Sequence, residues 1–297
     1  RYVHKGRIHA EINQLRSDQG GTVSGRLSYS NPNLQQIPAR NKEYGDKIRS
    51  LFLPEEGKQW GSFDYSQQEP RLVAHYAASI DENFTGAQEF IMAYQNEAAD
   101  FHQIVADMAG ISRTQAKTIN LGLFYGMGKA KLSKELGISK DAAENLLGKY
   151  HNRVPFVKKL AEAVTSSASK YGFIRTIKGR KCRFDMWEPA TFGMNKAMQY
   201  EEAKAIYGNN IRRAFTYKAL NRLIQGSAAD QTKQAMIECY KQGFKPMLQI
   251  HDELCFSINE ESDIIKVKEI MENAIEGLKV PSKVDCAIGS SWGQAKE

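Results

Sequence analysis

Arg113, Lys117, Leu121 and Tyr125 recur at every fourth position. A helix turns about 100° and rises about 1.5 Å per residue, so these four form one stripe that drifts roughly 40° per step over about 18 Å. Two cations, an apolar side chain and a ring in that order suit anions at one end and a flat apolar surface at the other, the polarity of a nucleoside triphosphate. The same spacing also suits a surface helix with two solvated cations. A second chemistry lies in Asp64 and Asp252, each at the end of a short apolar run and far apart in sequence. Brought together, they would give divalent ions the hard oxygen ligands that share a site with substrate phosphates. Two such ions about 3.5–4 Å apart would activate an attacking hydroxyl and stabilise a leaving oxygen. Asp64 taken alone equally suits a turn or a helix N-terminus.

The elements that must position these residues have their own signals. Ser112 precedes the cationic run and Gln115 follows three residues later, the pattern of a capping box. Ile119, Leu123 and Met127 supply a second, apolar stripe. Gly122 and Gly126 sit in or near the end of the run, where glycine costs about 1 kcal/mol against alanine, so something is expected to approach the backbone there. Residues 59–65 read as a strand carrying Asp64, and Gln68 to Tyr76 as a helix with Pro70 in its first turn, where a missing amide is harmless. Met247 to Ile258 is apolar and β-branched around an acidic centre. It reads as a hairpin with His251, Asp252 and Glu253 at the tip, or as one strand in which Asp252 shares a face with Leu248, Ile250, Leu254 and Phe256. Either arrangement plants a carboxylate in an apolar setting that needs a cation.

Along the rest of the chain, Tyr2 to Leu53 reads as strands and ordered loops. Helical patterns run from Ala87 to Lys170, broken near Gly110, Gly128, Gly137 and Pro155. Residues 173–184 read as a hairpin around Lys178 and Gly179, dense in cations: Arg175, Lys178, Arg180, Lys181 and Arg183. Asp185 to Tyr217 is polar and poorly periodic, an insertion or a loosely helical connection. A long helix from Tyr217 to Gly243 carries Asn221 and Gln225 one turn apart, and a helix over Asp263 to Leu278 and a strand over Val284 to Ile288 close the chain. No fixed-period repeat occurs.

A length of 297 residues suits one large domain or two intimate subdomains, and 41% apolar with 25% charged residues suits a globular protein. A net charge of +7 and a pI near 9.0 favour polyanionic partners. Cys182, Cys239, Cys255 and Cys286 form no Cys-x-x-Cys pair, so neither a zinc module nor a disulfide framework is expected, and a reducing compartment is. No run of about 18 apolar residues and no leader pattern argue against membrane spans and secretion. Starting at Arg1 without methionine, the sequence is expected to be a fragment or a processed product.

Five motifs occur in order: Ser24-Gly25-Arg26-Leu27-Ser28, Asn31 to Pro38, Asp64-Tyr65-Ser66-Gln67-Gln68-Glu69, Arg113 to Gly126, and Gln249-Ile250-His251-Asp252-Glu253. Together they closely resemble the polymerase domain of family A DNA polymerases, the bacterial DNA polymerase I type and its phage relatives. The resemblance implies an α+β right-hand polymerase fold. An antiparallel-sheet palm would take residues 1–68 and 217–297, and helical fingers residues 69–216, with 185–216 as an insertion or long connection. The thumb and proofreading exonuclease would be absent from this chain, to be supplied by a missing segment or a separate chain.

The resemblance also implies site roles. Asp64 and Asp252, with the Tyr65 carbonyl, would bind two Mg2+ ions, with Mn2+ as a substitute. Arg113 would meet the γ-phosphate, Lys117 the inner phosphates and the departing pyrophosphate, and His102 a further phosphate, although a lone histidine more often lies on the surface. Gln67, Glu69, Leu121 and Tyr125 would complete the nucleotide site, Glu69 as the steric gate against ribose and Tyr125 beside the templating base. Arg26, Asn33, Gln35, Arg40, Asn221, Gln225 and His251 would contact primer-template DNA, where minor-groove acceptors report pairing geometry without reading sequence.

Two positions depart from the family pattern. Leu121 stands where it has Phe or Tyr, and Tyr217 where bacterial relatives have Arg. The implied activity is template-directed transfer of dNMP from dNTP to a primer 3′-hydroxyl in bacterial or phage-infected host cytoplasm, with no membrane partner. A single-subunit RNA polymerase relative and a non-catalytic nucleic-acid-binding module are the alternatives. Leu121 and the long connection point to a phage.

Overall fold

A computed structural model describes residues 2–18, 20–38, 42–80, 87–95, 100–124, 127–191, 193 and 196–295. In chain order, β1 (Val3–His4), β2 (Arg7–Ile8), β3 (Glu11–Asn13) and β4 (Ser28–Ser30) lead through a 3-10 turn to α1 (Lys42–Arg49), β5 (Gln59–Tyr65) and α2 (Gln68–Ile80). Helices α3 (Ala87–Gln95), α4 (Phe101–Ala109), α5 (Arg113–Phe124), α6 (Lys129–Leu136), α7 (Lys140–Arg153) and α8 (Pro155–Tyr171) follow. Next come β6 (Phe173–Arg175), β7 (Lys181–Arg183), β8 (Trp187–Pro189), α9 (Tyr200–Tyr207), β9 (Ile211–Arg213) and α10 (Ala219–Lys241). The chain closes with β10 (Leu248–Ile250), β11 (Glu253–Ile258), α11 (Glu261–Glu272) and β12 (Val284–Gly289). Two compact units result, Arg1–Arg71 with Ser227–Glu297, and Leu72–Gly226; the divisions fall inside α2 and α10.

The first unit is built on a four-stranded antiparallel sheet in the order β10-β11-β5-β12. Side chains alternate across a pleated strand. Phe63 and Tyr65 of β5, Leu254, Phe256 and Ile258 of β11 and Val284 of β12 therefore share one face, packed with Ala235 and Cys239 of α10 and Val267 and Met271 of α11. On the other face Trp60 and Cys255 pack with Leu27, Tyr29, Leu34 and Trp292. Burial of each large apolar side chain stabilises by about 1.5–3 kcal/mol. The turn after β5 is anchored by two buried polar residues. Gln68 Nε2 lies within hydrogen-bond distance of Ala228 O, Gln231 Oε1 and Thr232 Oγ1 (3.1–3.3 Å), and Arg71 donates to Ser66 O and Pro281 O at 2.9 and 2.8 Å.

The second unit is helical, and its punctuation is local. Asp100 caps α4 by accepting from the amides of His102 and Gln103. Ser112 and Gln115 form the expected reciprocal capping box on α5, at 3.0 and 3.2 Å. Gly110 and Gly137 end α4 and α6 in the left-handed region, and Pro155 opens α8. Gly172 ends α8 at φ +76, a backbone conformation that favours glycine, and an added Cβ would also push aside the Arg213 guanidinium, 2.6 Å away. The basic hairpin forms as β6–β7.

Three expectations change. Residues 42–49, read as loop or strand, form α1. The connection after Asp185 holds β8 and β9, which pair antiparallel with α9 between them in the chain, and the Arg213 guanidinium lies 4.6 Å from the Trp187 ring centroid. Finally, the acidic triplet lies in a hairpin rather than a single strand, with only His251 and Asp252 at its tip while Glu253 opens β11.

Candidate active site

Register in the first unit brings the distant carboxylates to one sheet end. Asp64 faces Glu253 on β11 and Asp285 on β12, so three carboxylates make a row across adjacent strands. Asp252 is the next residue back from Glu253, in the turn. Like charges directly opposite one another destabilise a sheet, so such a row fits a site that receives cations. Burial, first of all, raises the Asp252 pKa; its own backbone amide, Arg26 and His251 pull it down, and Glu253 pushes it up. Among the described residues no three His, Cys, Asp or Glu side chains converge enough to enclose an ion alone. That donor set still fits Mg2+, which takes one or two carboxylates and completes its shell with water and substrate phosphates. Tyr65 is buried, its hydroxyl donating to Met271 O at 2.6 Å.

The Glu253 carboxylate, which no spacing in the sequence marks as a site residue, is held by two neighbours. Trp292 Nε1 donates to Glu253 Oε1 at 3.1 Å and Cys255 Sγ lies 3.4 Å from the same oxygen. Trp292 is itself fixed by stacking on Trp60, by the edge of Phe52 and by the Arg49 guanidinium 4.4 Å from its ring centroid. No local sequence signal links two residues so far apart.

The hairpin tip is supported by Gln249. Its Nε2 donates to His251 O and its Oε1 accepts from Gln35 Nε2 at 3.4 Å. His251 adopts φ +55, a left-handed conformation that costs a non-glycine residue about 1–3 kcal/mol and persists only where surroundings hold it. Arg26 and His251 share a small cleft with Thr232, Lys233 and Gln249. Arg26, expected at DNA, has its guanidinium on Glu69, 2.7 Å from Oε1 in a half-buried pair. Burial raises the Glu69 pKa most; Arg26 pulls it down and Asp252 pushes it up. Asn33 spends its side-chain oxygen on capping the 3-10 turn at Gln35 N. Gln67 stands at φ +53 in the turn before α2. Arg40 lies outside the described residues.

The cations belong to the second unit. Arg113 and Lys117 are exposed on α5, and Arg113 is engaged by Asp100, Nε to Oδ2 at 2.8 Å. His102 is buried rather than at the surface, 9% exposed, with Nδ1 3.0 Å from Asn120 Nδ2; Tyr150 donates its hydroxyl to Asn120 Oδ1 at 2.6 Å. Burial first lowers the His102 pKa, Asp100 raises it, and Lys117 and Arg113 lower it further, so the electrostatics couple all four groups. What approaches Gly122 is the chain itself: an added Cβ would meet Met127 Sδ at 2.7 Å, and α5 ends at Phe124. Leu121 lies in α5 with its side chain outside what is described, and Tyr125 and Gly126 lie outside the described residues. On α10, Gln225 is half-buried, and Asn221 Nδ2 is buried without a partner among the described residues.

The profile of DNA polymerase family A matches residues 1–294. A DNA-directed DNA polymerase of Pseudomonas phage M6 is 38% identical over 342 aligned residues, covering 99% of this chain and 48% of that protein. The thermostable DNA polymerase I of Thermus filiformis is 34% identical, covering 100% of this chain and 34% of that protein. Among solved structures, the polymerase domain of Pol1 from M. smegmatis in complex with DNA primer-template and dNTP superposes with a TM-score of 0.77 at 32% identity, over 99% of this chain and 49% of that one. The chain therefore spans about half the length of its phage relative, or less of its bacterial one.

Proposed function

The chain belongs to DNA polymerase family A, and on that footing we propose that it carries out template-directed DNA synthesis, joining dNMP from a dNTP to a primer 3′-hydroxyl with release of pyrophosphate. The observation that carries this reading is the meeting of Asp64 on β5 with the β10–β11 hairpin that bears Asp252. Two divalent ions held by Asp64, Asp252 and the Tyr65 carbonyl, Mg2+ or Mn2+, would supply Lewis acidity at the attacking and leaving oxygens.

The chain's own groups do the rest. Negative charge grows on the phosphoryl oxygens as the bond to pyrophosphate breaks, and fixed cations aimed there stabilise that state more than the ground state. Lys117 Nζ faces the inner phosphates and gives its proton to the departing pyrophosphate. Arg113 takes the γ-phosphate, which means exchanging its carboxylate partner Asp100 for a phosphate of higher charge. Glu69, fixed by Arg26, crowds the sugar 2′ position and favours deoxyribose. Gln67 and Leu121 line the nucleotide and Tyr125 flanks the base step. Asn33, Gln35, Arg40, Gln225 and His251 track the duplex, and the orphaned Asn221 amide gains an acceptor at a minor-groove base edge. The palm-and-fingers division expected from the motifs is part of the same reading.

Primer extension on a defined template tests this directly. The expected result is incorporation of the complementary dNMP with strong discrimination against the rNMP. Equal use of both sugars would favour the RNA polymerase relative, and triphosphate binding without incorporation would favour a non-catalytic module.

A further inference from the structure

His102, Asn120 and Tyr150 form a buried polar relay across α4, α5 and α7. Tyr150 is fully buried, so its hydroxyl hydrogen needs an acceptor, and Asn120 Oδ1 at 2.6 Å provides it. That bond fixes which way the Asn120 amide points. Its Nδ2 then faces His102 Nδ1 at 3.0 Å. An amide nitrogen only donates, so His102 Nδ1 must present its lone pair, and the ring proton must sit on Nε2. An imidazolium would set two N–H donors against each other in a dry site, at the cost of an unsatisfied buried group.

We propose that Asn120 and Tyr150 are positioning residues that hold His102 in the tautomer with its proton on Nε2, so that the ring offers one directed N–H to a nucleotide phosphate beside Arg113 and Lys117. The phosphate part rests on the function proposed above; the tautomer part does not. A neutral donor fits this location. Arg113 and Lys117 already place two positive charges near the ring and Asp100 one negative charge, so a third cation would be repelled while a neutral N–H still adds a hydrogen bond. Asn120 lies one turn after Lys117 on α5. One helix thus carries a phosphate-directed cation and, on its buried side, the clamp for the histidine.

The test is proton-nitrogen NMR of the full chain carrying isotope-labelled histidine, with the His102→Gln spectrum assigning the signal among six histidines. At neutral pH the wild type should show Nε2 protonated and Nδ1 bare. Tyr150→Phe frees the amide to turn and should give mixed tautomers. Asn120→Asp sets an anionic acceptor at Nδ1 and should move the proton there, raising the His102 titration midpoint by about one unit or more. In steady-state incorporation, Tyr150→Phe should raise KM for dNTP about five- to tenfold, the scale of one hydrogen bond, with kcat changed less. In a His102→Gln background the same substitution should leave KM unchanged.

A wild-type proton on Nδ1, or a tautomer indifferent to Tyr150→Phe, would overturn the relay whether or not the chain polymerises. An equal KM effect of Tyr150→Phe with and without His102 would reduce Asn120 and Tyr150 to structural ties between helices. If the tautomer results hold but no template-directed incorporation occurs, the phosphate role falls with the proposed function and the relay stands.

Discussion

At the scale of single residues, two side chains make separable predictions. Trp292 donates to Glu253 from a nest of Trp60, Phe52 and Arg49. Trp292→Phe removes the N–H and leaves a smaller ring in that nest, so urea unfolding should show a loss of at least about 1–2 kcal/mol from the hydrogen bond and the space left behind, and incorporation should slow as the Glu253 carboxylate loses its orientation. Unchanged stability and rate would mean that Glu253 needs no support. Leu121 is proposed to line the nucleotide, where an aliphatic chain would keep apolar contact but lacks a planar stacking face. Leu121→Phe should speed single-turnover incorporation or alter selection of dideoxynucleotides, and equal values for both would remove that role. Glu253, Trp292 and the Asn120–Tyr150 pair were not legible in the sequence because each contact joins residues from separate elements, which no spacing rule reaches. Arg26 and His102 were legible as candidates, but not the partners that hold them.

At the scale of elements, the caps decide much of the second unit. Asp100 both caps α4 and holds Arg113. Asp100→Ala should destabilise by about 1–2 kcal/mol, whereas Asp100→Asn keeps the cap and should cost less. Burial pushes the Asp100 pKa up, but Arg113 and the amides of Gln103 and His102 outweigh it and leave it lowered. A carboxylate lowered on folding contributes stability above its unfolded value, near about 3.9, and loses it as pH falls through the lower folded value. Thermal unfolding of wild type should therefore weaken on acidification in that window, and Asp100→Asn should flatten the dependence. A wild-type slope unaltered in Asp100→Asn would assign it to other groups. Helix boundaries from Gly110 to Pro155 were readable because glycine and proline act locally. α1 was not, since Lys42–Arg49 carries only Tyr44 and Ile48 as apolar markers, and β8 and β9 are three residues each, too short for alternation to declare itself.

At the scale of the whole molecule, the charge of +7 suits the proposed partner, a polyanionic primer-template duplex. Affinity for duplex primer-template should fall with salt at a log-log slope steeper than about −3, as expected when several phosphates are neutralised. A flat salt response would argue against a duplex-binding surface. The sheet that gathers the carboxylates was legible as separate strands, but its order β10-β11-β5-β12 was not, because pairing between distant segments leaves no local trace. The most direct test of the central claim is Mg2+-dependent single-nucleotide incorporation by Asp64→Asn and Asp252→Asn, each checked for wild-type folding by circular dichroism. The account predicts that each loses incorporation by about a thousandfold, the scale of removing an electrostatic contact to the transition state; near wild-type incorporation by either folded variant would contradict it.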